Sequence, residues 1–489
     1  MDTEAPPGTV RTNVPSRLDR LPWSRWHWII VIGLGTVWIL DGLEVTIVGN
    51  LSGQLAKPGS GVDITQSQVT GFGAAAYVLG ACVGALFFGW LTDRFGRKKL
   101  FLITLGVYLG GTALTALSFS SWWFFLFRFV TGLGIGGEYA AINSAIDELI
   151  PARHRGRIDI VINGTFWAGA AIGALLTIPL INQFPVNIGW RLAFGLGVVL
   201  GVVILLVRRA VPESPRWLFI HGRGREAEAL VDDVERQIGG DLPPAEHYLT
   251  IHQRRSVGLV EVAKTLFARY PSRSVLGLAL FVGQAFLYNA VTFGFAQILE
   301  TFFGVRSGQT GYYYVAIAVG NLLGPLLLAH LFDSVGRRPM IAGTYLLSGA
   351  LLFGTAWLFH AGVLNAVTMT ACWCVVLFFA SAGASAAYLT VSEIFPMETR
   401  ALAIAVFYAI GTGLGGTIGP LLFAKLVGSG EVGDTVLAFS IGAGLMMASG
   451  VVAAVLGVKA ERRSLEDIAA PLTARHDRAQ PATAAPATT

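Results

Sequence analysis

The sequence is short of charge. Only 13% of its 489 residues are Asp, Glu, Lys or Arg, where soluble domains carry about 25%. That scarcity excludes the string of ordinary soluble domains that the length would otherwise suggest. Disorder is excluded as well, because disordered chains are polar and poor in aromatics, and this one is 54% hydrophobic and 11% aromatic. Cysteine is rare. Cys82, Cys372 and Cys374 all lie in apolar runs, and Cys372-Trp373-Cys374 has one intervening residue, not the two of a redox or zinc pair. They read as small packing residues. None of the eight histidines falls in a metal-ligand spacing, so no metal is expected. There is no phosphate-binding P-loop, which argues against ATP-driven work. No nucleophile–base cluster is visible, so an enzyme is not expected. The net charge of +5 includes no dense basic tract with interleaved aromatics, which excludes nucleic acid as a partner. The N-terminal apolar run is too long for a cleavable signal.

What the sequence has in quantity is apolar length. Its mean hydropathy is +0.62, and 60 residues are glycine. Crossing the hydrocarbon core takes roughly 20 apolar residues. Twelve such runs occur, near 28–51, 69–91, 99–118, 122–149, 158–182 and 191–210, then 274–299, 310–332, 340–359, 365–391, 401–427 and 434–458. The expected fold is an all-α integral membrane protein of two six-helix bundles. Arg94, Arg97, Lys98, Lys99, Arg153, Arg155, Arg157, Arg337, Arg338 and Arg400 fall in loops on one side, which assigns that side and both termini to the cytoplasm. The domains are then a cytoplasmic tail 1–25, a bundle 26–211, a cytoplasmic connector 212–273, a second bundle 274–459 and a disordered tail 460–489. Trp122, Trp123 and Trp190 read as an interface belt.

The two bundles repeat one another. Asp93-Arg94-Phe95-Gly96-Arg97-Lys98 follows the second run, and Asp333-Ser334-Val335-Gly336-Arg337-Arg338 follows the eighth, 240 residues later. Glu148-Leu149-Ile150-Pro151 with Arg155 follows the fourth run. Glu393-Ile394-Phe395-Pro396 with Arg400 follows the tenth, 245 residues later. Such duplication is common in transporters. Gly96 and Gly336 permit a turn with positive φ. Carboxylates and arginines gather at one level in both halves. Asp93, Arg97, Glu148, Arg155, Asp333, Arg337, Glu393 and Arg400 are therefore expected to form an ion-pair gate on the cytoplasmic side. The alternative is a set of topogenic positive loops with no gating role.

These loops carry a resemblance. Gly89-Trp-Leu-Thr-Asp93-Arg-Phe-Gly96-Arg97-Lys98 resembles the loop signature of the major facilitator superfamily. Pro212-Glu213-Ser214-Pro215-Arg216-Trp217-Leu218, Arg128-x-x-x-Gly132 and Glu393-Ile-Phe-Pro396 are similar to motifs of its sugar-porter branch. Arg463-Ser-Leu-Glu466 is similar to the end of that branch's C-terminal motif, without the preceding Pro-Glu-Thr. The likeness spans about residues 26–466. It implies substrate contacts at Gln284, Asn289 and Asn321, with Asn163 at a Gln position and Tyr388 at a Trp position. Trp167 is a further candidate for the pocket wall. The match is incomplete, since Gly283 stands for a Gln and Phe286-Leu287 for Ser-Gly. Gly136-Gly137-Glu138 instead resembles the metabolite:proton symporters, which carry organic acids. Sugar and organic acid both remain open.

Ionisable residues near mid-membrane cost at least about 2.5–3.5 kcal/mol and mark function by default. Glu44 lies about 10 Å from the outer end of its run and Arg128 about 9 Å from that of its own, at 1.5 Å per residue. The resemblance makes the two helices neighbours and puts Glu44 and Arg128 at a proton-coupling pair. Paired, the carboxylate keeps its charge; separated in a desolvated site, it takes a proton. Asp41, one helical turn deeper, is the alternative proton site or shares the proton with Glu44. Glu138 is a relay candidate. A static pair that only fixes packing is the competing reading. The expected function is secondary active transport of a small polar organic solute by alternating access with proton symport, in the plasma membrane. Uniport or proton-coupled export are the alternatives. No cofactor is expected beyond the proton gradient. The partners are solute, protons and lipid, and the protein is expected to act as a monomer.

Overall fold

Residues 9–472 are described by the computed structural model, except 66–67, 209–211, 240–241, 246–247, 253–258, 293–294, 307–308, 397 and 471. The side chains of Asp93 and Asn289 also lie outside the described residues. Long helices build nearly all of the body. The first half holds α2 (Arg25–Leu55), α3 (Ala74–Phe95), α4 (Arg97–Ala116), α5 (Ser121–Leu149), α6 (Ala152–Gly164), α7 (Phe166–Gln183) and α8 (Val186–Arg208). The second holds α12 (Pro271–Thr292), α13 (Phe295–Phe303), α14 (Thr310–Ser334), α15 (Arg337–His360), α16 (Ala366–Ile394), α17 (Arg400–Gly428) and α18 (Val432–Leu456). Among the described residues, ten helical stretches are long and apolar enough to cross a membrane. The chain is a multi-pass membrane protein. The other two long helices, α5 and α12, pack inside the same bundles.

The glycine content explains the close packing. Gly80 and Gly84 of α3 face Gly132 and Gly136 of α5. A Cβ on Gly84 would come within 2.8 Å of Leu133 Cα, and one on Gly136 within 2.7 Å of Ala81 Cα. Small residues four apart let two backbones approach this closely. At the arginine-rich end Gly96 (φ +99°) alone separates two helices, and Gly336 (φ +114°) does so together with Val335; the positive φ disfavours a Cβ at either glycine. Helix starts elsewhere are capped by side chains, as where Asn365 accepts from the backbone N–H groups of Val367 (3.0 Å) and Thr368 (2.9 Å). The halves meet along two seams: α3 against α17, and α6 with α7 against α14.

Short elements cover the arginine-rich end. The segment β1 (Thr9–Thr12) pairs antiparallel with β2 (Leu249–His252). Helix α1 (Val14–Asp19) lays Val14 and Leu18 on Val231 and Val234 of α10 (Gly224–Ile238). Between lie α9 (Pro215–Ile220) and, after β2, α11 (Leu259–Ala263).

Two expectations need correcting. Trp190 is not a belt residue: it is fully buried, and its Nε1 donates to the Ser60 carbonyl at 3.0 Å. Trp122, 73% exposed, faces outward. The chain from 460 is not disordered at its start. It forms α19 (Leu465–Ile468), where Glu466 meets Arg216 at 3.2 Å and the Ile468 carbonyl accepts from Arg273 at 3.0 Å. Ion pairing with a buried arginine holds a stretch whose composition does not announce structure. Residues 473–489 lie outside the described residues.

Candidate functional site

Two carboxylates of α2 sit at the centre of the first half, and each has its own partners. Glu44 is 1% exposed. Its Oε1 lies 2.6 Å from Arg128 Nη1 on α5, and its Oε2 accepts from Thr112 Oγ1 of α4 at 2.9 Å. Asp41 is fully buried. Its Oδ1 accepts from the Tyr77 hydroxyl of α3 at 2.6 Å, and its Oδ2 accepts from the Tyr139 hydroxyl of α5. The two sites are joined through one ring. The Arg128 guanidinium lies over Tyr77, 4.5 Å from the centroid, while the same tyrosine's hydroxyl holds Asp41. Glu138 is buried too. It sits beside Tyr139 in sequence, so it points about 100° away from that residue round the helix.

Aromatic rings from both halves close over Asp41. Trp38 stacks on Tyr139 with centroids 4.6 Å apart at 10°. Tyr388 of α16 meets Trp38 edge-on at 5.5 Å and Phe281 of α12 at 4.8 Å. Tyr408 of α17 meets Tyr139 at 4.9 Å. Farther along, Trp167 of α7 stacks on Tyr288 of α12 at 5.5 Å and 19°.

The amides expected to bind substrate are divided. Asn163 Nδ2 donates to Asn143 Oδ1 at 3.0 Å and to the Asp159 carbonyl at 2.8 Å. Asn321 Nδ2 donates to the Ile317 carbonyl at 3.0 Å, and its Oδ1 accepts from the Tyr288 hydroxyl at 2.9 Å. Asn321 is engaged at both ends, while Asn163 keeps a buried Oδ1 with no hydrogen-bond partner among the described residues. Gln284 lies between the two aromatic groups along α12 and has no described hydrogen-bond partner for its amide. Asn289 lies outside the described side chains.

At the arginine-rich end the repeated residues form two clusters. In the first half Arg97 Nη2 lies 2.7 Å from Glu148 Oε1 and 3.2 Å from Ser144 Oγ. In the second, Arg337 forks onto Glu393 through Nε and Nη2, both at 3.0 Å. Its Nη1 donates at 2.7 Å to Asp333 Oδ1. Such bidentate pairing is strong and directional. Contacts also cross the seam. Asp333 Oδ2 accepts from the Arg157 backbone N–H at 2.8 Å, and Arg400 Nη1 lies 3.8 Å from Glu148 Oε1. Arg155 is fully buried and lies 3.5 Å from Asp19 of α1. The side chain of Asp93 is outside the described residues.

Several residues in these clusters escaped the sequence reading. Asp19 bridges Arg155 and Arg216, the latter at 3.2 Å. Glu213 accepts from the Arg97 N–H at 2.9 Å, and Glu461 takes the equivalent place at Arg337 N, 3.4 Å away. Burial pushes the Glu213 carboxyl above its ordinary value, against the opposing pull of the Ser214, Arg97 and Lys98 backbone N–H groups. The Glu in Pro212-Glu213-Ser214 was a motif letter only; its position just before a capped short helix was the available signal. Tyr77, Tyr139 and Thr112 carry no signal, since hydroxyl and aromatic residues in apolar runs are ordinary packing.

Comparison with known proteins follows from this geometry. The family model described as sugar (and other) transporter matches residues 27–471. The niacin transporter NiaP of Acinetobacter baylyi is 28% identical over 456 residues, covering 93% of this chain and 99% of the relative. The arabinose-proton symporter of Bacillus subtilis is 27% identical over 418 residues, covering 81% and 86%. Among solved structures, the proton:xylose symporter XylE of E. coli, bound to 6-bromo-6-deoxy-D-glucose, shares the fold. It superposes with a TM-score of 0.75 at 18% identity, over 91% of this chain and 98% of that one.

Proposed function

We propose, from the premise that the chain belongs to the sugar (and other) transporter family, that it is a proton-coupled symporter of a small polar organic solute. The solute is a sugar or an organic acid, carried by alternating access. The observation that carries this reading is the Glu44–Arg128 pair at 2.6 Å, buried in a membrane-spanning bundle with Asp41 one turn away. Two unneeded carboxylates there would be a standing cost of several kcal/mol. A rocking motion that parts α2 from α5 separates the Glu44 carboxylate from Arg128, and this is the step at which a proton is loaded or released. Tyr77 links the two carboxylates, since it touches Arg128 with its face and Asp41 with its hydroxyl.

The arginine-rich clusters are the gate in this reading. Arg337 with Glu393 and Asp333, and Arg97 with Glu148, brace each half, and the contacts from Asp333 to Arg157 and from Arg400 to Glu148 hold the halves together. Arg155 belongs to the same ring, and Asp93 keeps the gating role that the sequence repeat implies. The present conformation is then closed at that end. We place twelve spans across the plasma membrane, both termini and the gate on the cytoplasmic side, and a monomer as the working unit. The names of the relatives, among them a proton symporter and a niacin transporter, support coupling to protons and a small organic cargo.

The test is uptake into proteoliposomes under an imposed pH gradient. Wild type accumulates solute against its gradient. Glu44→Gln loses accumulation and keeps exchange. Accumulation at the wild-type level in that variant would remove Glu44 from coupling, and solute movement that ignores the gradient in the wild type would make the protein a uniporter.

A further inference from the structure

The transport reading leaves the cargo open between a sugar and an organic acid, and the side chains between the halves narrow it. A sugar needs several hydrogen-bonding groups free to meet its hydroxyls. The expected amides are largely spent: Asn321 is bonded at both ends, to Tyr288 and the Ile317 carbonyl, and Asn163 gives its Nδ2 to Asn143 and the Asp159 carbonyl, which leaves only its Oδ1 without a partner among the described residues. What remains accessible is aromatic surface. Tyr388 is only partly buried, although α16 is packed on by α12, α14, α15 and α17 of its own half and by α5 and α6 of the other. Its exposed face therefore opens to the interior, not to lipid. Tyr288 is likewise only partly buried while stacked on Trp167.

These rings meet at two levels. Phe281, Gln284 and Tyr288 are spaced three and four residues apart, so they share one face of α12. Phe281 touches Tyr388 at one level, and Tyr288 touches Trp167 at the other. Seven residues of helix separate the levels by about 10 Å, roughly the long dimension of a substituted single or fused aromatic ring. Gln284 lies between them with its amide unengaged among the described residues. Rings of both halves meet at each level, Trp167 with Tyr288 at one and Trp38 with Tyr388 at the other, as a cargo that must be handed between two rocking bundles requires.

The charges set the sign of the cargo. Arg128 is committed to Glu44 on one side and to the face of Tyr77 on the other. The charged group that reaches the ring cluster is Asp41, through Tyr139. Among the described residues, an anionic ligand would meet a carboxylate and no uncommitted cation there. A neutral or cationic ring meets π-faces that favour positive charge.

We infer that the central site takes a flat aromatic solute, neutral or positively charged when bound, with one polar substituent on the Gln284 amide. This rests on the transport reading and puts an aromatic cargo in place of the sugar or organic acid named there. Such a site discriminates by stacking and one amide contact, where a sugar would require a set of hydroxyl partners.

The experiment is ligand binding to the purified full-length protein, read by thermal stabilisation, with counterflow in proteoliposomes alongside. The probes are benzamide and pyridine-3-carboxamide (neutral rings), N-methylpyridinium (cationic), benzoate (anionic), D-xylose and succinate. Expected is stabilisation by the neutral or cationic rings, a weaker effect of benzoate at neutral pH, and none by D-xylose or succinate. Tyr388→Ala should weaken ring binding about five- to tenfold, the equivalent of one aromatic contact, and Tyr388→Phe should restore it. Gln284→Leu, which leaves the stacking intact, should weaken the amides and spare N-methylpyridinium. Stabilisation by D-xylose or succinate with silent rings overturns the inference, as does silence from every ring in a protein that melts normally. Xylose or succinate counterflow would sink the aromatic cargo and leave the transport reading standing. Ring binding without counterflow of any ring would uphold the site and sink transport.

Discussion

Gly156 offers a clean way to load the gate mechanically. It lies on α6 in the first half, directly against the Arg337 guanidinium of the second. A methyl group added there would sit 2.5 Å from Arg337 Nη2, well inside contact distance. The protein then has two responses. Backbone and side chains shift slightly at an overpacking cost of about 1–3 kcal/mol. Or Arg337 swings off its fork on Glu393, which leaves a buried carboxylate unpaired at about 3–5 kcal/mol. The cheaper response governs, so Gly156→Ala disfavours the closed gate by about 1–3 kcal/mol. In the proposed open gate the parted halves would relieve this clash. In both states alanine stabilises the helix by about 1 kcal/mol relative to glycine. The wedge therefore shifts the closed-to-open ratio about five- to 150-fold with little net loss of global stability. Nitroxide labels at Arg94 and Ser334, both exposed and one in each half, would report it by pulsed EPR distances in a background without the native cysteines. A new long-distance population is expected in Gly156→Ala. Wild-type distances together with a lowered melting temperature would refute the reasoning, because the contact would then be static packing and not a gate.

Three further outcomes are expected. Arg128→Met strands Glu44 and should lose about 3–5 kcal/mol in detergent unfolding, much of it recovered in the double variant with Glu44→Gln; equal losses in the single and double variants would show that Glu44 does not depend on Arg128. Gly84→Ala should lower the melting temperature because Leu133 Cα stands 2.8 Å from the added carbon, while Gly106→Ala, with nothing within 4 Å, should not; equal effects would contradict the glycine-mediated approach of α3 and α5. The third concerns pH at α1. Burial raises the Glu235 carboxyl, but hydrogen bonds from Arg17 and Arg20 outweigh it and hold the group below its ordinary value. Such a carboxylate adds stability above its ordinary range and loses it as pH falls through the lowered value. Amide exchange over Val14–Asp19 should therefore quicken on acidification through that window, and constant protection would mean that Val14 and Leu18 hold α1 without the ion pairs.

The sequence reading and the structure part company at identifiable places. The turn glycines were legible because a Gly between two helical patterns, with charge on both sides, has few other uses; Gly96 and Gly336 do adopt positive φ. The arginines and carboxylates of the repeat were legible as a group because both halves carry them at matching positions. Their pairing was not: Glu148 serves Arg97 within its half and stands near Arg400 across the seam. Glu44 and Arg128 were matched by depth, a one-dimensional quantity that the helical rise converts from residue number. Asp41 shows where that stops. Its partners Tyr77 and Tyr139 lie 36 and 98 residues away, and nothing in an apolar run distinguishes a tyrosine that donates to a buried acid from one that packs. Asp19 shows it again, since a polar N-terminal stretch gives no hint that one carboxylate will reach two buried arginines.

The sequence by itself determined that the chain lives in lipid, that it is a duplicated set of long helices, and which end carries the positive charge. These follow from local quantities: apolar run length, repeat spacing and loop composition act residue by residue against water and lipid. Only the tertiary structure decided which groups satisfy one another. It spent the amides of Asn163 and Asn321 inside the protein, left Gln284 between aromatic rings, and docked both the N-terminal helix and the start of the C-terminal tail on the arginine-rich end. Those outcomes depend on which helices are neighbours and how each is rotated about its axis. A buried polar group must find a partner wherever the packed helices bring one, and that is a property of the assembled bundle.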